Sequence, residues 1–139
     1  MEAIDKRMLV ERALAARENS YCPYSGYSVG AALLTAAGHL YCGCNIENAG
    51  YSPTLCAERA AMAQAVSAGE RDFVMLAVAG GPRGQAPDTY FWPCGVCRQW
   101  LAEFCPPDFP VLCGKSAEDY QETTLARLLP HAFSPATLT

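Results

Sequence analysis

Strands alternating with helices along this chain predict an α/β protein, a three-layer arrangement with helices on both faces of a central sheet. Three observations carry that expectation. An Ala-, Leu-, Arg- and Glu-rich segment near the N-terminus has helical spacing. Short apolar, strand-like runs recur through the middle, and breaks bearing Gly or Pro divide them. The 139 residues suit one compact domain, 1–139, and a chain of this length can bury a core without staples.

Asp5 to Glu18 reads as a helix, with Ile4, Met8 and Leu9 set to form its apolar face. Cys22-Pro-Tyr-Ser-Gly26 breaks it. Tyr27 to Thr35 is a strand, Ala36-Ala-Gly-His39 a hairpin turn, and Leu40 to Ile46 the returning strand. Cys56 to Ala68 is an Ala-rich helix stopped by Gly69. Phe73 to Ala79 is a continuous apolar run, as in a buried central strand, and Gly80 to Tyr90 is loop. Pro93 stands just before a second helix over Cys94 to Phe104. Pro110 to Cys113 is a short strand, and Thr123 to Leu129 a last helix ended by Pro130. This α-β-β-α-β-α-β-α order puts the entries of two helices, Cys56 and Cys94, side by side at a sheet edge.

Composition narrows the function. The chain is 51% hydrophobic and only 17% charged, against about 25% charged in an average domain. That deficit points to surface buried in a subunit interface. No stretch approaches the roughly 18 apolar residues of a membrane span, and the charged start lacks an apolar signal core, so a cytoplasmic protein is expected. The net charge is −4 with scattered basic residues, and no Lys/Arg stripe suits polymeric nucleic acid. The eight cysteines read as reduced thiols, some of them metal ligands, with Cys105 and Cys113 as core residues.

Two segments carry the chemistry: Cys56-Ala57-Glu58-Arg59 and Pro93-Cys94-Gly95-Val96-Cys97-Arg98-Gln99. A C-x-x-C at a helix start brings two sulfurs to one ion, and the helix N-terminus favours thiolates. A third thiolate, Cys56, completes a three-ligand zinc site whose fourth position is left for water. Zinc acidifies such a water. Glu58, two residues after Cys56, can enter the pocket without ligating and can carry protons. The spacing matches the zinc deaminase layout of Cys or His, x, Glu, then P-C-x-x-C. Two other readings stand beside it: a thioredoxin-type redox pair, and a closed structural zinc site completed by Cys42 or Cys44. Arg59 can hydrogen-bond ligand sulfurs, offsetting the excess charge of three thiolates, or serve as a surface helix cation. Asn45 and Glu47 share a strand face and suit the diol of a sugar, or simply face solvent.

The chain resembles the small, homotetrameric cytidine deaminases. Cys22-Pro-Tyr-Ser25, Val29-Gly-Ala-Ala-Leu33, Gly43-Cys-Asn-Ile-Glu-Asn-Ala49, Cys56-Ala-Glu-Arg59, Pro93-Cys-Gly-Val-Cys-Arg-Gln99 and Leu128-Leu-Pro-His-Ala-Phe133 look like that family's motifs, in order and over nearly the whole chain. The resemblance implies a three-layer αβα fold with a mixed central sheet of about five strands. It implies one zinc per subunit on Cys56, Cys94 and Cys97, with Glu58 as proton shuttle and Arg59 supporting the thiolates. It implies Asn45 and Glu47 on the ribose, the Ala57 N–H on the base carbonyl, and Tyr27 stacked near the base. Phe133 and Tyr51 match residues packed at the active site and near the subunit contact. Neighbouring subunits complete each site in that family.

The reaction so implied is hydrolysis of cytidine and 2′-deoxycytidine to uridine and 2′-deoxyuridine with release of ammonia, as in pyrimidine salvage. Blasticidin-type deaminases share C-A-E and P-C-G-x-C-R-Q but lack a full C-N-I-E-N-A match. Three departures from the family pattern stand out: Tyr27 in place of Phe, Tyr51-Ser-Pro-Thr-Leu55, and Trp92 where a small residue is common.

Overall fold

The computed structural model describes residues 5–139. Helix α1 (Lys6–Ala16) begins where the Asp5 side chain accepts the Arg7 N–H at 3.0 Å, and one 3-10 turn, Arg17–Asn19, follows it. Strands β1 (Tyr27–Thr35) and β2 (Leu40–Cys44) form the expected hairpin. Helix α2 (Ala57–Ser67) leads to β3 (Phe73–Pro82), then α3 (Gly95–Phe104) and β4 (Pro110–Ser116). Strand β5 (Asp119–Thr124) and two one-turn helices, α4 (Leu125–Leu128) and α5 (Pro135–Leu138), complete the order.

The strands form one mixed five-stranded sheet in the order β2-β1-β3-β4-β5. Strands β3 and β4 pair in parallel, and the other pairs are antiparallel. Alternation along β1 builds the two flanking layers. Ala31 and Leu33 join Ala57, Ala61, Met62, Ala65 and Leu101 from α2 and α3. Ala32 and Leu34 join Leu9, Val10 and Ala13 of α1 on the opposite face. Leu9 and Val10 are fully buried, which at about 1.5–3 kcal/mol each ties α1 to its face of the sheet. The expected three-layer αβα architecture is present.

Gly43 in β2 sets how close α2 lies. A Cβ there would stand 2.5 Å from the Ala57 carbonyl oxygen and 2.7 Å from the Ala61 nitrogen. The helix backbone therefore rests directly on the strand, and the end of α2 that carries Glu58 is fixed against the sheet.

Several boundaries differ from expectation. Of the residues read as the apolar face of α1, Ile4 lies outside the described residues and Met8 is half-buried; Leu9, Val10 and Ala13 do the packing. Strand β2 stops at Cys44 rather than Ile46, because the Asn45 side chain turns back onto β1 and competes with the ladder. Ile46 is held instead by isolated bridges to Tyr21 and Leu55. Strand β3 runs on through Gly80, Gly81 and Pro82, which read as loop. The segment read as a last helix from Thr123 ends a strand, and only Leu125–Leu128 are helical. Strand β5 is a polar, largely exposed edge, and it shows little apolar alternation. No helix among the described residues is long and apolar enough to cross a membrane.

Candidate active site

Cys56 and Cys94 each occupy the N-cap of a helix, α2 and α3, with extended backbone (ψ 153° and 168°). Neither caps its helix with its side chain, so both sulfurs turn outward to a common point. Cys97, one turn into α3, reaches the same point from its buried side. Cys56 Sγ lies 3.7 Å from Cys94 Sγ, and Cys94 Sγ lies 3.6 Å from Cys97 Sγ. Sulfurs bound at about 2.3 Å to a tetrahedral ion stand roughly 3.8 Å apart. The cluster therefore has the dimensions of a zinc site before any ion is added. Among the described residues this is the group that converges; Cys42 and Cys44 stay outside it. Cys105 and Cys113 are buried in the core, as read from the sequence.

The electrostatics suit thiolates. Hydrogen bonding by the Cys97 thiol, with help from Arg59 and Cys94, holds Cys56 down to about 5. Cys97 is pushed the opposite way, first by that same hydrogen bond. Cys56 and Cys97 thus contend for a proton, which a cation would displace. Arg59 Nη2 donates to Cys56 Sγ and to the Thr54 carbonyl, both at 3.3 Å.

Glu58 is the anomaly of the fold. It is 1% exposed, and neither carboxylate oxygen has a hydrogen-bond partner. A buried polar group without a partner costs free energy, and a catalytic role is one reason for a native site to retain one. Burial, followed by the nearby Cys56 thiolate, raises Glu58 to about 7. Such a carboxyl can hold or give up a proton near neutrality.

One cavity of about 190 Å³ gathers most of the expected residues: Tyr27, Asn45, Glu47, Cys56, Ala57 and Glu58. Ala57 is the first residue of α2, so its N–H has no acceptor within the helix. The Asn45 amide is already engaged, accepting the Val29 N–H at 2.9 Å and donating to the Tyr27 carbonyl at 2.8 Å. Cys94, Cys97 and Arg59 stand outside its lining, joined to it through Cys56, and Tyr51 and Phe133 are not brought to it either. Tyr51, 71% exposed with φ 60°, packs edge-on against Tyr24 beside an adjoining groove that shares Ser25, Glu47 and Thr54. Phe133, 56% exposed, lies where Gln99 Nε2 donates to its carbonyl at 2.8 Å.

Sequence reasoning assigned no role to Phe91 or to Arg98. Phe91 lines the cavity with its ring 6.0 Å from that of Tyr27, and both rings press on Gly80, where a Cβ would stand 2.9 Å from Phe91. Its place just before Trp92-Pro93-Cys94 was the available signal. Arg98 donates to the Pro93 carbonyl at 2.6 Å and the Leu128 carbonyl at 2.7 Å, fixing the approach to Cys94.

Helix-borne thiolates that converge beside a buried, unpaired carboxyl, on an αβα sheet, define a metal-dependent hydrolytic centre as a class. Residues 3–113 match the model of the cytidine and deoxycytidylate deaminase zinc-binding region. The chain is 49% identical over 131 residues to a cytidine deaminase from Sporosarcina psychrophila, covering 94% of this chain and 93% of that protein. It is 47% identical to one from Halalkalibacterium halodurans, covering 94% and 96%. The crystal structure of cytidine deaminase from Burkholderia pseudomallei superposes with a TM-score of 0.81 at 43% identity, covering 91% of this chain and 97% of that one. This chain belongs to the cytidine and deoxycytidylate deaminase family, and its three-cysteine cluster can hold the one metal ion that the family's zinc-binding region implies.

Proposed function

We propose that this protein hydrolytically deaminates cytidine and 2′-deoxycytidine, giving uridine and 2′-deoxyuridine with ammonia. The observation that carries the proposal is the buried, partnerless Glu58 carboxyl in the cavity that Cys56 also lines, with Cys56 one of three converging thiols. Family membership supports the same reaction.

Cys56, Cys94 and Cys97 hold zinc in this reading, and Arg59 disperses the charge of their thiolates. Zinc, when bound, supplies Lewis acidity that makes water available as a nucleophile near neutral pH. Glu58 takes one proton from the attacking water and gives it to the ring nitrogen, then takes the second from the hydroxyl added to the ring carbon and gives it to the departing amine. Its burial keeps bulk water from short-circuiting those transfers. The Ala57 N–H binds the base carbonyl at a helix N-terminus, where partial positive charge favours developing negative charge. Tyr27 flanks the base, and Asn45 and Glu47 receive the sugar.

Zinc content is one per chain, and the protein is a homotetramer working in the cytoplasm in pyrimidine salvage. Tyr51 and Phe133 stand exposed in one chain; in the tetramer they reach sites shared with neighbours. Nucleosides are preferred to their 5′-monophosphates, because Glu47 stays ionised beside the sugar; Arg83, within electrostatic reach of Glu47, offsets only part of that repulsion.

The test is ultraviolet absorbance of purified, zinc-replete protein with cytosine and adenine nucleosides and the cytosine monophosphates. Cytidine and deoxycytidine are turned over, adenosine is not, and the monophosphates give lower kcat/KM. Turnover of a modified cytosine nucleoside of blasticidin type without turnover of cytidine overturns the proposal.

A further inference from the structure

Glu47 is not a free carboxylate in the cavity wall. Its Oε1 accepts the Tyr24 N–H at 2.9 Å and the Ser25 N–H at 3.1 Å. Its Oε2 accepts the Ser25 hydroxyl. The same Ser25 Oγ accepts the Tyr27 N–H at 3.0 Å. A serine hydroxyl has one proton to give, and here it is given to Glu47 while a lone pair is tied to the start of β1. Ser25, Tyr27 and Glu47 all line the cavity. Ser25 therefore couples two of its walls.

A carboxylate offers about four acceptor positions. Three donors from Tyr24 and Ser25 occupy three of them: both on Oε1 and one on Oε2. The remaining position accepts one hydroxyl, not a pair. Bonds from fixed backbone N–H groups also set the plane of the carboxylate before any ligand arrives. They hold its pKa below the usual carboxylate range, the Ser25 hydroxyl contributing most.

We infer that Ser25 is a positioning and specificity-determining residue, which aims the single free acceptor position of Glu47 at one sugar hydroxyl and leaves the proton transfers at Glu58 untouched. The inference rests on the proposed placement of Glu47 at the sugar. The discrimination it describes is narrow: one hydroxyl of the substrate is weighed by Glu47, and its neighbour on the ring is not.

The experiment measures kcat and KM for cytidine, 2′-deoxycytidine, 3′-deoxycytidine and 2′,3′-dideoxycytidine. It uses wild type, Ser25→Ala, Ser25→Thr, Glu47→Gln and the Ser25→Ala/Glu47→Gln pair, each checked for zinc content and melting temperature. Ser25→Ala is expected to raise KM for cytidine roughly tenfold, the scale of a charge-assisted hydrogen bond, with kcat held within about twofold. Ser25 is exposed, so the extra methyl of Ser25→Thr meets solvent and this variant restores the wild-type KM. The penalty of Ser25→Ala disappears with the dideoxy substrate and in the Glu47→Gln background. In wild type, deletion of one sugar hydroxyl raises KM while deletion of the other does not. An equal penalty on the dideoxy substrate, or a fall in kcat matching the rise in KM, overturns the inference while the deaminase reading stands. A wild type that fails to turn over cytidine at all overturns that reading, and this inference with it.

Discussion

At the scale of single residues, Glu58 carries the sharpest expectation. Glu58→Gln keeps the shape and the buried position but cannot cycle a proton. General acid–base roles are worth about 10² to 10⁴ in rate, and the several transfers assigned to Glu58 place its loss at the upper end or beyond. Steady-state kinetics on protein with normal zinc content checks this; a drop below roughly tenfold removes Glu58 from the mechanism. Cys94→Ala leaves two sulfurs where three converge, and elemental analysis of the purified variant should find the zinc gone. A variant that keeps its zinc and activity would refute the ligand assignment. Away from the site, the Thr35 hydroxyl, the Tyr41 hydroxyl that donates to Glu70, and His39, whose Nδ1 lies 2.9 Å away, together hold the Glu70 carboxyl at about 2, below the ordinary 4.5. A depressed carboxyl contributes stability above its unfolded pKa and loses it as pH falls through the folded one. Glu70→Ala should thus lower the melting temperature at pH 7, with the difference from wild type shrinking between pH 4.5 and 2. Thermal melts across that range measure it, and a constant difference would show that the charge is irrelevant.

At the scale of elements, what matters is how rigidly two helix ends are offered to one point. Helix α2 rests on β2 through Gly43, without room for a methyl group. Gly43→Ala must lift the helix that carries Cys56 and Glu58. Overpacking of this kind costs about 1–3 kcal/mol, and the shift separates Cys56 from Cys94. Denaturant unfolding should show the loss, and competition with a chelator should show weakened zinc binding in the same variant. Normal zinc affinity in a destabilised protein would mean that α3 follows α2, and the rigid-support account would be wrong. Elements of this sort were largely legible beforehand. The bounds of β1 were read as they stand, because a run from Tyr27 to Thr35 between a Gly break and a hairpin turn has one reading. The helix starts at Cys56 and Cys94 were legible from other signals, an Ala-rich run stopped by Gly69 and a proline at position 93. Strand β5 was not: it is a polar edge, Asp119–Thr124, whose pairing with β4 comes from the sheet rather than from its own pattern. Likewise the sequence showed Asn45 and Glu47 two residues apart but not that both side chains are already bonded to protein, since their partners, Tyr24, Ser25, Tyr27 and Val29, lie about twenty residues upstream.

At the scale of the whole molecule, the exposed apolar surface calls for partners. Tyr24 and Tyr51 stand exposed on the groove beside the cavity, Tyr21 and Ile46 are exposed and bridged to each other, and Val96, Trp100 and Phe133 lie on or beside α3. Single exposed apolar residues are ordinary, but several in one region mark an interaction surface. Sedimentation at micromolar concentration should find a tetramer, and Tyr51→Ala should weaken both assembly and turnover. A fully active monomer would refute shared sites.

The sheet contains one parallel pair, β3 with β4, and a parallel pair needs a crossover, here the segment that holds α3. Cys94 and Cys97 ride on that crossover, and Cys94 is 38 residues from Cys56. This gives the centre a place in time as well as in space. Hairpin β1–β2 needs only neighbouring chain, whereas crossovers pay loop closure first and form late. As the protein is synthesised, α2 emerges with Cys56 alone of the three converging thiols. The full set exists only after β3 and α3 have been laid down and docked. Capture of an ion by all three sulfurs therefore has to wait until α3 has docked beside α2, and a bound ion would clasp the ends of those two helices together.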